Sequence, residues 1–260
     1  MVTQWDPTTY LQFAEERARP FVDLLSRVGV RHPTSVVDLG CGPGQLTASL
    51  ADRWPSARIV GLDSSPDMIA QAEAYAAPRV RFAVQDLRDW TPREPVEVIL
   101  SNAVLQWVPG HRDLLPRLVH ALGPGGWLAF QVPGNFGEPS HRLLHELADD
   151  ERFAGYVADR DRPAAFDAID YFEDLTGLGC SVDAWETTYL HRLTGPDPVF
   201  HWIRGTGARP VLQALPDGVR EHFEVEYRAL LSEAYPGRAY GTVMPFRRIF
   251  VVAQRTVNRL

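Results

Sequence analysis

Val36-Val37-Asp38-Leu39-Gly40-Cys41-Gly42-Pro43-Gly44 is the stretch on which the reading of this chain turns. The aliphatic, β-branched start reads as a buried strand. It breaks directly into a glycine loop, where the missing Cβ atoms let backbone approach a ligand closely at Gly40, Gly42 and Gly44. The acid two residues before the first glycine separates two cofactor classes. Dinucleotide folds lay a pyrophosphate over G-x-G-x-x-G and a helix N-terminus. Here the spacing is G-x-G-x-G, with Gln45 where the third fingerprint glycine belongs. A carboxylate at Asp38 repels a pyrophosphate and pairs with an ammonium. The loop therefore fits a cofactor with an amino-acid tail, S-adenosylmethionine, and disfavours a nicotinamide.

Outward from this loop the first half alternates strand-like and helix-like segments, the pattern of an α/β fold with a parallel sheet. A helix is expected over about Glu15–Val28, from the spacing of Phe21, Leu24, Leu25 and Val28. Strands follow at Ser35–Leu39, Arg58–Leu62, Val80–Val84, Val96–Ser101 and Trp127–Val132. Helices are expected over Gln45–Trp54, from Ser65-Pro66 onward and over His111–Leu122, with Gly123-Pro124-Gly125-Gly126 as a stop and turn. Asp63, Asp86 and Asn102 stand at successive strand ends. Asp63 lies about twenty residues past the glycine loop, where an acid takes ribose hydroxyls, with Ser64 beside it. Asp86 is placed to accept from an adenine amino group, Leu87 to offer its backbone N–H, and Asn102 to lie beneath the methionyl portion. Beyond Pro133 the pattern is mostly helical to about Gly179. A strand over Ser181–His191, helices over Pro196–Arg204 and Asp217–Tyr235, and a closing strand over Phe246–Gln254 then read as a late hairpin pair with a helical cap inserted.

A chain of 260 residues with 45% apolar and 23% charged residues has room for one large domain with a real core. Its formal charge of −7 argues against a nucleic-acid partner, since phosphate binding needs a basic face. There is no lysine, which excludes Schiff-base chemistry. No apolar run is long enough to span a membrane, and the opening Met1–Pro7 carries no signal-peptide pattern, so a cytoplasmic protein without a membrane partner is expected. Cys41 and Cys180 alone imply neither a disulfide framework nor a metal site.

With its glycine loop and strand-end acids the chain resembles the class I S-adenosylmethionine-dependent methyltransferases. Longer segments resemble the trans-aconitate 2-methyltransferase family. These are Trp5-Asp6-Pro7 with Tyr10-Leu11-Gln12-Phe13, Glu16-Arg17-Ala18-Arg19-Pro20, Gly61–Pro66, Ser101-Asn102-Ala103-Val104-Leu105-Gln106-Trp107, Gln131-Val132-Pro133 with Asn135, Trp202 with Thr206–Pro210, and Phe250–Arg255. The resemblance covers nearly the whole chain and departs mainly in the cap, at Arg204-Gly205 and Tyr240–Arg248. It implies a Rossmann-like, mostly parallel seven-stranded sheet with an N-terminal helix and helical cap insertions. The whole would form one domain over residues 1–260, with a lid over about 1–30, a core over about 31–133, and cap and final strands over about 134–260.

The resemblance further implies methyl transfer to a carboxylate of a small polycarboxylic acid, by a monomer or weak dimer. Such an acceptor is ionised at neutral pH and needs no general base. Tyr10, Trp107, Gln131 and Asn135 are expected to line the transfer chamber. Arginine forks suit carboxylates. Arg209, flanked by Gly207 and Pro210 in a constrained loop-like segment, is the first choice of clamp, ahead of Arg17, Arg19 and Arg247. His111, at the start of a helix, reads as structural. The rivals are a methyltransferase for another small carboxylic acid and a SAM-binding protein without turnover. An enzyme methylating amines or DNA is disfavoured, because Asn102-Ala103-Val104-Leu105 is not an Asn/Asp-Pro-Pro-aromatic run.

Overall fold

A computed structural model describes residues 14–157 and 163–256. Helix α1 (Ala14–Ser26) precedes β1 (Ser35–Leu39), α2 (Gln45–Arg53), β2 (Arg58–Asp63), α3 (Pro66–Ala72), β3 (Val80–Val84) and β4 (Val96–Asn102). Then come α4 (Leu115–Ala121), β5 (Leu122–Pro133), α5 (Pro139–Ala148), α6 (Glu151–Val157), α7 (Ala168–Gly177) and β6 (Cys180–Leu193). The last elements are α8 (Pro198–Arg204), α9 (Arg209–Ala214), α10 (Asp217–Ala234) and β7 (Thr242–Arg255). The seven strands form one sheet in the order β3-β2-β1-β4-β5-β7-β6.

Two hydrophobic layers sandwich the sheet because successive strand residues face opposite sides. Val36 packs with Phe21, Leu24 and Val28 of α1 and with Leu50 of α2. Its neighbour Val37 packs in the other layer, with Leu118 of α4 and Tyr171 and Leu175 of α7. The same alternation divides β7: Phe250 and Val252 go to the first layer, Ile249, Val251 and Ala253 to the second. Each such buried side chain stabilises the fold by roughly 1.5–3 kcal/mol.

The sheet is mixed, which corrects the expectation of a mostly parallel one. β1 to β5 pair in parallel, whereas β7 runs antiparallel to both β5 and β6. The last two strands are each fourteen residues long and pair along their whole length, because their connection returns as a hairpin does and not as a crossover. Their length carries the sheet into a third cluster. Leu193 of β6 and Met244 and Phe246 of β7 pack with Leu144 of α5, Phe200 and Trp202 of α8, and Phe223 and Tyr227 of α10. Two local readings also change. The glycine run at residues 123–126 does not separate helix from strand: β5 starts at Leu122, paired with Val96, and the register then shifts before Trp127 meets Val98. Arg209 sits on no loop but opens the short helix α9.

The turn after β1 is tied to its neighbour. The N–H groups of Gly40 and Cys41 both donate to the Leu62 carbonyl, at 2.7 and 2.9 Å. Gly40, at φ +77°, would drive a Cβ into the Val104 side chain, while at Gly42, φ +55°, a Cβ would meet nothing within 4 Å. The two alanine substitutions should therefore separate in urea denaturation. Gly42→Ala should lose roughly 1–2 kcal/mol of stability from left-handed backbone strain, and Gly40→Ala roughly 2–5 kcal/mol because overpacking adds to it. Equal losses would show that Val104 does not set the constraint.

Candidate active site

The first part of the site is a pair of acids, Asp38 buried and Asp63 partly buried. Asp38 is 3% exposed at the end of β1. Its Oδ2 accepts from Thr47 Oγ1 at 2.5 Å, while Oδ1 has no hydrogen-bond partner among the described residues. Burial, and secondarily the charge of Asp63, push its carboxyl up to about 6 against the pull of Thr47. Asp63 ends β2 and accepts from the N–H groups of Gly42 (3.0 Å) and Ser65 (2.9 Å). Burial raises its pKa too, partly offset by those backbone donors. Ser64 is exposed. Thr47, on α2, escaped the sequence reading; its position on the first turn of the helix after the glycine loop is the only signal it leaves.

Asp86 stands in a different setting. Arg88 grips both of its oxygens, with contacts of 2.6–3.1 Å, and lowers its pKa. Leu87 buries its side chain in the core, and its carbonyl accepts from Arg117 at 2.7 Å. The loop after β3 is thus fixed by arginines, with the Asp86 charge already paired.

The second part is a cavity of about 80 Å³ where β4, β5 and β7 meet the helical cluster, enough for several water-sized groups. Its wall includes Asn102, Gln106, Trp107, Gln131, Asn135, His141, Trp202, Gly207 and Arg248 and, among the described residues, no Asp or Glu. A hydrogen-bonded chain crosses it. Arg248 Nη1 donates to Gln131 Oε1 at 3.2 Å, and Gln131 Nε2 donates to Asn102 Oδ1 at 2.7 Å. A guanidinium only donates, so Gln131 must turn its oxygen to Arg248 and its amide nitrogen to Asn102. Asn102 then keeps Nδ2 as a spare donor. Gln106 Nε2 is taken by the Ala103 carbonyl at 2.6 Å.

The arginines sort differently from their sequence ranking. Arg247 points to the other face of β7 and is held by Glu186 at 2.5 Å and Asp167 at 2.7 Å. The inward arginine is Arg248, one position on, which the sequence reading missed. The alternation Phe246-Arg247-Arg248 was its available signal, because Phe246 and Arg248 belong to residues of opposite parity from Arg247. Arg209 is buried, yet the cavity wall runs through Thr206 and Gly207 and does not include it. Arg19 is exposed and lies 5.0 Å over the Tyr189 ring. Arg19 and Arg248 both help to depress the neighbouring His191, which burial first of all pushes down to about 4. Tyr10 lies outside the described residues, as does the side chain of Arg17. His111 is buried against Tyr171, with Nε2 2.7 Å from its hydroxyl, and is not part of the wall.

Comparison with known proteins places this geometry. The methyltransferase domain family matches residues 36–126, which span the glycine loop and β1 to β4. A trans-aconitate 2-methyltransferase of Streptomyces avermitilis is 55% identical over 98% of either chain. That of Rhodococcus jostii is 52% identical over 96% of this chain and 99% of its own. The chain belongs to the trans-aconitate 2-methyltransferase family. Among solved structures, the phosphoethanolamine N-methyltransferase 2 of Haemonchus contortus in complex with S-adenosyl-L-methionine shares the fold, with a TM-score of 0.57, 17% identity, and coverage of 96% of this chain and 56% of that one.

In a methyltransferase of this family the β1–β2 end must receive a sulfonium cofactor with a zwitterionic tail, and its residues fit one. Among the described residues Asp38 holds a buried carboxylate oxygen without a partner and a Cβ on Gly42 would meet nothing within 4 Å, while Asp63 supplies a second carboxylate. The cost of burying the Asp38 carboxylate is testable. Asp38 titrates near 3.8 when unfolded and near 6 when folded. The raised folded value means that its contribution to stability is complete below about pH 4 and is lost as pH climbs through about 6. Two units correspond to roughly 3 kcal/mol. Asp38→Asn keeps an oxygen for Thr47, so the ligand-free variant should gain up to that amount over the parent between pH 4 and pH 7 in urea denaturation. A difference that does not vary with pH would contradict the assignment.

Proposed function

We propose that this chain methylates a carboxylate of trans-aconitate, or of a close small polycarboxylic acid, using S-adenosylmethionine and giving the monomethyl ester. The observation that carries the reading is the cavity wall: in a protein of net charge −7 it contains Arg248 and, among the described residues, no acid. Membership of the family supports the choice of acceptor. The cofactor, when bound, supplies an electrophilic methyl group on a sulfonium.

The chain's own residues then have three tasks. Asp38 takes the ammonium of the cofactor tail, Asp63 with Ser64 takes the ribose hydroxyls, and Leu87 N–H and the Arg88-paired Asp86 hold the adenine end. Val104 packs against Gly40 while Asn102 and Ala103 line the cavity, so a single turn joins the cofactor cradle to the acceptor chamber. Arg248 receives an acceptor carboxylate, and Gln131 and Asn102 orient it with fixed amides. Trp107, Phe136, Trp202 and Phe246 exclude water, which strengthens these contacts. No side chain needs to remove a proton, because the acceptor is already an anion; catalysis is positioning. Arg19, which acts on His191 together with Arg248, is the second candidate cation. Arg17, Arg209 and Arg247 rank behind both, and Asn135 completes the chamber. A lid over about residues 1–30, including Tyr10, and a cap over about 134–260 belong to the same reading, as does a cytoplasmic monomer or weak dimer. No described helix is long and apolar enough to cross a membrane.

Methyl-labelled cofactor and a panel of di- and tricarboxylates test the proposal: base-labile label on trans-aconitate is the expected result, and cofactor binding with no transfer to any acid would refute it. Arg248→Gln should raise the KM for the tricarboxylate roughly ten- to a hundredfold, the range for a hydrogen bond to a charged group, with S-adenosylhomocysteine affinity near that of the parent. Affinity for S-adenosylhomocysteine should fall about tenfold from pH 7 to pH 5 as Asp38 gains its proton. Affinity for 5′-methylthioadenosine, which lacks the ammonium, should stay level in the same calorimetric series. A common pH profile for both would remove Asp38 from the ammonium.

A further inference from the structure

Helix α5 opens with Pro139-Ser140-His141, and its first turn is held from outside by Tyr227 of α10 and by Tyr235 just past that helix's end. The Ser140 N–H donates to the Tyr235 hydroxyl at 3.1 Å, and the Ser140 carbonyl accepts from the Tyr227 hydroxyl at 2.6 Å. Both tyrosines are buried in the helical cluster. His141 is thereby held in the cavity wall with only 5% of its surface exposed.

The ring's tautomer follows from its neighbours. Nδ1 lies 3.4 Å from Asn135 Nδ2 and 3.2 Å from Ser140 Oγ. With the Asn135 amide assigned this way round, its nitrogen donates, Nδ1 accepts and the proton sits on Nε2. That Nε2 edge faces Gly207, which lines the same cavity. A Cβ on Gly207 would fall 2.6 Å from Nε2 and 3.2 Å from Cδ2. Burial pushes the imidazole down to about 4, so at neutral pH it adds no like charge beside Arg248. A neutral donor is also cheaper to bury than a second cation.

We infer that His141 is a specificity-determining residue whose Nε2–H donates to a carboxylate of the acceptor other than the one methylated, and that Gly207 lacks a side chain so that this donor can stand in the cavity. The inference rests on the carboxyl-methylation reading and sharpens it, since the enzyme would then select acids with at least two carboxylates.

The test compares His141→Ala and Gly207→Ala with the parent, using trans-aconitate and an unsaturated monocarboxylic acid as acceptors. Both variants should lose roughly ten- to a hundredfold more in kcat/KM for the tricarboxylate than for the monocarboxylate, with S-adenosylhomocysteine affinity unchanged. An equal loss for both acids, or none, overturns the inference. A parent that methylates no acid overturns the underlying reading instead. Nitrogen NMR of the parent saturated with S-adenosylhomocysteine decides independently of any variant. The expected result is a His141 proton on Nε2 whose resonance shifts when trans-aconitate is added. A proton on Nδ1, or no shift on adding an acid that binds, overturns the inference even where methylation stands.

Discussion

A guanidinium can only donate hydrogen bonds, and at Arg248 that constraint sets the polarity of the acceptor site. The bond from Arg248 dictates which end of the Gln131 amide faces which way, and Gln131 in turn dictates the orientation of Asn102. Three strands, β7, β5 and β4, each contribute one member, so the chain of bonds exists only while their register holds. Asn102 pairs with Gln131, and Pro133 with Arg248, in the ladders of the sheet. A one-residue slip in β7 would exchange Arg248 for Arg247 and turn the site's cation to the far face.

The site divides charge between two neighbouring regions. The β1–β2 end gathers Asp38 and Asp63, both with raised pKa values because burial denies them solvation. The cavity beyond Asn102 has no acid among the described residues of its wall and presents Arg248, amides and a neutral imidazole. Under the proposed function, a cationic cofactor and an anionic acceptor would each meet the sign that stabilises them, a few residues apart. The protein's net negative charge does not oppose this, because a partly enclosed site responds mainly to its immediate neighbours.

Most of the fold's first half was legible because its strands are short, apolar and punctuated. β1 and β3 run between the residues expected, and Ser65 caps α3 with Pro66 at its start, as the dipeptide foretells. The glycine run at residues 123–126 misled, since glycines mark a bulge as readily as a turn, and only pairing with Val96 distinguishes the two. The length of β6 and β7 was under-read at both ends. Their terminal residues, such as Leu193 and Met244, are buried by helices distant in sequence, and local periodicity carries no trace of those.

The string of residues from Val36 to Gly44, with the acids at later strand ends, determined the class of cofactor cradle, because spacing along one chain is enough to specify a strand, a turn and the acid beside it. Folding decided which glycine faces open space, leaving Gly40 pressed against Val104 and Gly42 clear. It also decided which arginine faces the acceptor. Arg247 and Arg248 are chemically identical neighbours, and the pleat of a strand sends them to opposite sides. Which side holds the cavity depends on helices contributed by residues far along the chain, so that choice is made in three dimensions.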